Sequence, residues 1–379
     1  MSDTLVTSIP ELHPGDRLLC GPGPSNVHPK VLEAMSLPMN GHLDPDFWDI
    51  LLDLTDGLKA LWRRPDGLSL CFSASGTSGM EAGIANLTEP GDKTIVIHAG
   101  FFGARIVEMA RRSQTDLVEL TAPLGQIVPL DQVEEALRAN PDTKLVGVVH
   151  AETSTGVRYP VAELGSLIRQ HAPDAMLLVD CVTSLGGEEV SPNEWGIDYG
   201  YSCSQKSLGC PAGLSPFSLS ERALARIRDR KAPVPFSFDI DLLEKYWVER
   251  PMTYHHTMPI LQYYALYEGI RLSLEEGLEN RWKRHEDAGR YFQAQMAERG
   301  YTLLSDPDHT LWELSAIDVP DGVDGKEVQT RFLREHGIEI GGGLGPTAPP
   351  IWRVGLMGVN ANRETADRVL AAFDAVLPR

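Results

Sequence analysis

From Lys93 to Asp180 the chain alternates short apolar runs with segments of helical spacing, and this alternation restricts the fold more than any other feature. KTIVIHA (93–99), DLVEL (116–120), KLVGVVHAE (144–152) and AMLLVD (175–180) read as strands, and FFGARIVEMARRS, LDQVEEALRAN and PVAELGSLIRQHA between them read as helices. Apolar strands joined by helical crossovers give a mostly parallel sheet covered by helices on both faces. The pattern changes near residue 259. A long helical stretch from Pro259 to about Gly300, expected as two helices, precedes the short strands TLWELSAI, IEIGG and IWRVGLM, which alternate with the helical segments DGKEVQTRFLREHG and RETADRVLAAFDAVL. The expected fold class is therefore α/β, with a large domain over residues 21–280 and a smaller C-terminal α+β domain over 281–379. A polar arm over residues 1–20, broken by Pro10 and Pro14, precedes them. A chain of 379 residues exceeds what one core fills, which agrees with two domains.

Composition narrows the functional classes. A chain 42% hydrophobic and 23% charged is not a disordered one. A net charge of −19 disfavours nucleic acid and anionic membranes as partners, although one local arginine can still recognise a small anionic substrate. Cys20, Cys71, Cys181, Cys203 and Cys210 are scattered and form no C-x-x-C pair, so disulfide and zinc frameworks are poor readings and reduced thiols the better one. No metal site is expected. The first residues hold no apolar run of signal-peptide or membrane-span length, and AAFDAVLPR carries no peroxisomal tripeptide, so the expected location is cytoplasmic.

Several motif fragments lead nowhere. GPGPSN (21–26) starts like a dinucleotide fingerprint but has Asn26 where the third glycine belongs. GVDGKE lacks the spacing of a P-loop, His150-Ala151-Glu152 is not followed by P-C-x-x-C, and His255 and His256 are adjacent rather than one helical turn apart. Four features carry more. In SASGTSGMEAG (73–83), free N–H groups at a helix start and the hydroxyls of Ser75 and Thr77 suit a phosphate, or equally a capped turn. In LLVDCVTSLGG (177–187), Asp180 ends an apolar strand, where parallel sheets bind ligands; a helix cap or turn is the plainer alternative. In YSCSQKSLGCPAG (201–213), Lys206 lies among small residues, where exclusion from water would favour a neutral amine able to form a Schiff base; an exposed loop lysine is the ordinary alternative. In IWRVGLMG (351–358), Arg353 is the lone charge of an apolar strand and needs an anion, either a substrate carboxylate or an internal acid.

Taken together with LLCGPGPSNVHP, MNGHLDP, HAETSTGVRYP, YHHTMPI and GGGLG, these segments resemble the class V aminotransferases, a branch of the fold-type I pyridoxal-phosphate enzymes, from about Leu18 to the C-terminus. The resemblance implies pyridoxal 5'-phosphate as cofactor and amino transfer between alanine or serine and glyoxylate or pyruvate. It implies that Lys206 is the Schiff-base lysine and Asp180 the partner of the pyridine nitrogen. Ser75, Gly76, Thr77 and Gln205 would hold the phosphate, Thr153 would bond the ring oxygen, and Phe102 would stack on the ring, where close relatives often carry tryptophan. Arg353, helped by the backbone near Gly23, would clamp the substrate carboxylate. Tyr254 and Thr257 would reach the phosphate of a neighbouring subunit, which makes the expected assembly a homodimer with shared active sites. A cysteine desulfurase on the same scaffold needs a reactive cysteine in the C-terminal half, and none follows Cys210.

Overall fold

The structure is a computed structural model that describes residues 9–346 and 348–377. The first eight residues of the expected arm and the last two of the C-terminus lie outside the described residues. The large sheet is built from β1 (Leu68–Phe72), β2 (Lys93–His98), β3 (Asp116–Thr121), β4 (Leu145–Val149), β5 (Met176–Asp180), β6 (Tyr199–Tyr201) and β7 (Ser215–Leu219). Their order across the sheet is β1-β7-β6-β5-β4-β2-β3. Neighbours from β6 to β3 run parallel, and β7 lies antiparallel between β1 and β6. Every residue of β4 and β5 is buried, as a strand covered on both faces requires, whereas only Leu120 of the edge strand β3 is buried.

The covering helices include α1 (Pro45–Leu61), α2 (Gly76–Leu87), α3 (Phe101–Arg112), α4 (Leu130–Ala139) and α5 (Val161–His171). α1 starts at Asp44, whose side chain accepts from Asp46 N, and buries Phe47, Leu51, Leu54, Leu58 and Leu61 along one face. The helical stretch after residue 259 is two helices, α6 (Ile260–Glu276) and α7 (Leu278–Glu298), which meet at Gly277 with φ +82°. α7 joins the two hydrophobic cores: Leu278 packs in the first and Phe292 and Met296 in the second. The second core is completed by the three-stranded antiparallel sheet of β8 (Leu314–Asp318), β9 (Gly341–Gly342) and β10 (Ile351–Gly355), with α8 (Gly325–His336) and α9 (Arg363–Val376). Leu18 and Leu19 pair in parallel with Ile338 and Glu339, and Cys20 is buried in that same core. The Gly-Lys of GVDGKE belongs to a helix start, where Asp324 accepts from Lys326 N and Glu327 N.

Candidate active site

The carboxyl ends of the strands bring most of the expected residues together, because each strand there releases its chain into a turn or helix. β1 leads to Ser75 and the start of α2, β2 to Phe102 at the start of α3, β4 to Glu152 and Thr153, β5 to Asp180, and β6 to Lys206. Ser75, Gly76, Thr77, Phe102, Thr153, Asp180, Gln205, Lys206 and Gly23 all line one cleft of about 230 Å³.

At the start of α2, Ser75 caps the helix by accepting from Ser78 N at 3.4 Å. The N–H groups of Gly76 and Thr77 are among those left free by helix geometry, and they sit at the positive end of the helix dipole. Gln205 Oε1 is buried in the same cleft without a hydrogen-bond partner. Arg105, one turn after Phe102 on α3, donates to Thr77 Oγ1 at 2.8 Å and stands over the rings of Phe101 and Phe102. The sequence reading missed Arg105, although its i, i+3 spacing from Phe102 puts both on one helix face.

Asp180 is 3% exposed. Val182 N donates to its Oδ1 at 2.8 Å and the Tyr201 hydroxyl to its Oδ2 at 2.6 Å. Burial raises its pKa to about 6, against the lowering effect of those two hydrogen bonds. Tyr201 was also missed: its role depends on the sheet register, which sets it directly beside Asp180, and nothing in a single sequence prints that register.

Lys206 is 8% exposed, and burial holds its amine below the ordinary lysine value. Nζ donates to the carbonyl of Pro22. Gly23 is required at this contact twice over. Its φ is +109°, and a Cβ there would lie 2.5–2.7 Å from Lys206 Cδ, Cε and Nζ. The GPGP segment is thus the wall against which the lysine packs.

Arg353 is 6% exposed. It donates from Nε to Gly342 O at 2.6 Å and from Nη1 to Thr153 O at 3.2 Å. Among the described residues no carboxylate forms an ion pair with it, so the internal salt-bridge alternative fails. Burial lowers its pKa to about 10, with the nearby Glu152 charge acting in the opposite direction. Tyr254 and Thr257 do not join the cleft of their own chain: Tyr254 is 55% exposed, and its hydroxyl meets Thr257 Oγ1 at 3.2 Å.

The family model described as aminotransferase class-V matches residues 42–359. The chain is 38% identical over 371 residues to an alanine–glyoxylate aminotransferase of Drosophila melanogaster, covering 97% of this chain and 93% of the relative. It is 35% identical to a (S)-ureidoglycine–glyoxylate transaminase of Bacillus subtilis, over 96% of this chain and 91% of the relative. The crystal structure of an alanine–glyoxylate aminotransferase from Nostoc sp. superposes with a TM-score of 0.94 at 43% identity, covering 98% of this chain and 97% of that one.

Proposed function

The chain belongs to the class V aminotransferases, and from that premise we propose that it transfers an amino group from a small amino acid, alanine first, to glyoxylate, using pyridoxal 5'-phosphate held by Lys206. The observation that carries the substrate class is Arg353: a buried guanidinium with no carboxylate partner, beside the cleft that holds Lys206. Its planar fork suits the one group that amino acid and oxo acid share, the carboxylate. The glyoxylate acceptor rests on the names of the relatives. A panel of alanine, serine and other donors against glyoxylate, pyruvate and hydroxypyruvate, ranked by kcat/KM, tests the reading; it fails if glyoxylate is not among the preferred acceptors.

The residues present fit the cofactor. Free N–H groups at the start of α2 and the orphaned Gln205 Oε1 line the cleft, and so does the buried carboxylate of Asp180, whose hydrogen bonds come from neutral donors. When bound, pyridoxal phosphate supplies an aldehyde and an electron-accepting ring that stabilises the charge left by a departing α-proton. Ser75, Gly76, Thr77 and Gln205 would bind the phosphate, Phe102 would stack on the ring, and the Thr153 hydroxyl would bond the ring oxygen. Asp180, whose Oδ2 accepts from Tyr201, would keep the ring nitrogen protonated. Lys206 would hold the cofactor. Burial holds the Lys206 amine below the ordinary lysine value, so that more of it is unprotonated and able to take the proton from the donor α-carbon. Arg353 and the backbone near Gly23 would hold the substrate carboxylate. Two half-reactions at one site give ping-pong kinetics.

The assembly proposed is a homodimer in which Tyr254 and Thr257 serve the partner's phosphate. Exposed Leu37, Met39, Leu43 and Phe236 near the Tyr254 loop support an interface there. His42 lies 5.7 Å from the Tyr254 ring, and Phe236 stacks at 4.7 Å on His255. A division into a large domain over residues 21–280 and a small one over 281–379 is supported by the two hydrophobic cores. A cytoplasmic location is supported by five buried, unpaired cysteines. Among the described residues no helix is long and apolar enough to cross a membrane.

A further inference from the structure

The His150-Ala151-Glu152 sequence found no role in the chemistry above, yet Glu152 has more to do in the site than its neighbours. It is 5% exposed and accepts four hydrogen bonds. Oε2 takes the N–H groups of Phe102 at 3.0 Å and Gly103 at 3.1 Å; Oε1 takes Ser154 N at 3.0 Å and Ser154 Oγ at 2.6 Å. Four donors and no acceptor face it, an arrangement that a carboxylate satisfies and an amide does not. The first pair of donors belongs to the start of α3, whose own N-cap residue, Gly100, provides no side-chain hydrogen bond. Glu152 therefore caps that helix from about fifty residues away. Ser154 Oγ closes the circuit by accepting from Phe101 N at 2.9 Å.

We propose that Glu152 is a positioning residue that fixes the ring of Phe102 and the hydroxyl of Thr153 relative to the substrate clamp Arg353. This inference rests on the pyridoxal-phosphate reading and deepens it. Phe102 and Thr153 stand on the two segments that Glu152 clasps, and both line the cleft. Arg353 is tied to the same turn through Thr153 O at 3.2 Å. The charge of Glu152 also acts on Arg353 through space. Its oxygens are filled by other donors, so it acts on the guanidinium by charge and not through an ion pair. Gly100 makes the clasp possible. Its φ of −167° suits any residue, but a Cβ would stand 2.4 Å from Glu152 Cγ, 2.5 Å from Cδ and 2.7 Å from Ser154 Oγ. That glycine is needed for space, not for conformation.

The test uses the full chain, stripped of and reconstituted with pyridoxal 5'-phosphate. Glu152→Gln keeps the shape and turns an N–H group toward donors. It should weaken cofactor binding and raise KM for both alanine and glyoxylate by about tenfold or more, the size expected for losing charge-assisted hydrogen bonds. Gly100→Ala, which shifts the carboxylate without removing it, should move both constants in the same direction. A helix cap alone would lower the melting temperature and leave KM and cofactor affinity unaltered; that outcome in folded Glu152→Gln overturns the proposal. Should Glu152→Gln not fold, Ser154→Ala removes the 2.6 Å bond while keeping the charge, and the induced circular dichroism of the bound cofactor must change, since the ring would tilt. An unchanged spectrum there also overturns it. Borohydride labelling of Lys206 in the wild type separates the two levels: no label means that the cofactor reading fails, whereas a label with unaltered variant constants means that only the role of Glu152 fails.

Discussion

Asp180 and Tyr201 face each other across neighbouring strands, joined by a 2.6 Å bond, and Asp180 lines the cleft. With the carboxyl raised to about 6 by burial, the cofactor-free chain takes up a proton there as the pH falls through 6. A protonated Asp180 no longer pairs with a protonated ring nitrogen, so cofactor affinity should fall below about pH 6 and hold above it. Asp180→Asn should remove that dependence and slow proton abstraction in single turnovers by about 10- to 150-fold, equivalent to roughly 1.5–3 kcal/mol for a charge-assisted hydrogen bond. A single-turnover rate equal to wild type would refute the assignment. Arg353→Ala and Arg353→Lys should both raise KM for amino and oxo acid together, because lysine does not restore a two-pronged contact; initial-rate kinetics on both substrates check this. Amines without a carboxylate should be little affected. At this scale the settings of Lys206, Asp180 and Arg353, a lysine among small residues, an acid at a strand end and a lone charge in an apolar strand, made them candidates, and the family resemblance supplied their expected roles. The sequence reading could not see Tyr201, whose partner is set by register, nor Glu152, whose four donors come from two separated segments.

Among the elements, the Gly21–Pro24 turn, through Gly23, and the start of α2 both line the cleft. Gly23→Ala must adopt φ +109° and push its Cβ against Lys206. The strain alone is on the order of 1–2 kcal/mol, and displacement of the amine adds to it. The variant should therefore retain the cofactor poorly at a near-normal fold; absorbance of the bound cofactor and far-ultraviolet circular dichroism, measured together, check both halves of that statement. The Tyr254 loop is held in a different way. His256 Nε2 meets Ser73 Oγ at 2.7 Å, the two histidines share a 2.7 Å contact between their Nδ1 atoms, and His255 Nε2 reaches the Phe236 carbonyl at 2.9 Å. Burial, with His255 and His42 adding to it, lowers His256 to about 4. The adjacent histidines that suit no zinc geometry thus pin a loop. Apolar periodicity made the parallel strands and the paired helices α6 and α7 legible. It did not reveal the antiparallel β7, because direction is decided by how the chain returns after Lys206 and not by the strand's own residues.

For the molecule as a whole, the exposed position of Tyr254 and Thr257 matters most, since one chain leaves them outside its own cleft. If they complete the partner's site, Lys206→Ala mixed with a Tyr254→Ala, Thr257→Ala double variant should regain activity. One site of each mixed dimer then collects both defects and the other neither, giving up to about half the wild-type rate per heterodimer by the symmetry of a two-fold interface. Exchange of subunits without return of activity would assign both residues to their own chain. On the same reading the cofactor would bind across both subunits and strengthen the dimer, and its removal should promote dissociation. The proposed bond between Lys206 and the cofactor underlies the chemistry. Purified protein should be yellow, bleach with alanine, and recover its colour with glyoxylate. Borohydride reduction of the yellow form, followed by peptide mass spectrometry, should place a pyridoxyl group on Lys206 and on no other lysine. A label on a different lysine, or a colourless protein that takes up no pyridoxal phosphate, would contradict the proposed chemistry at its foundation.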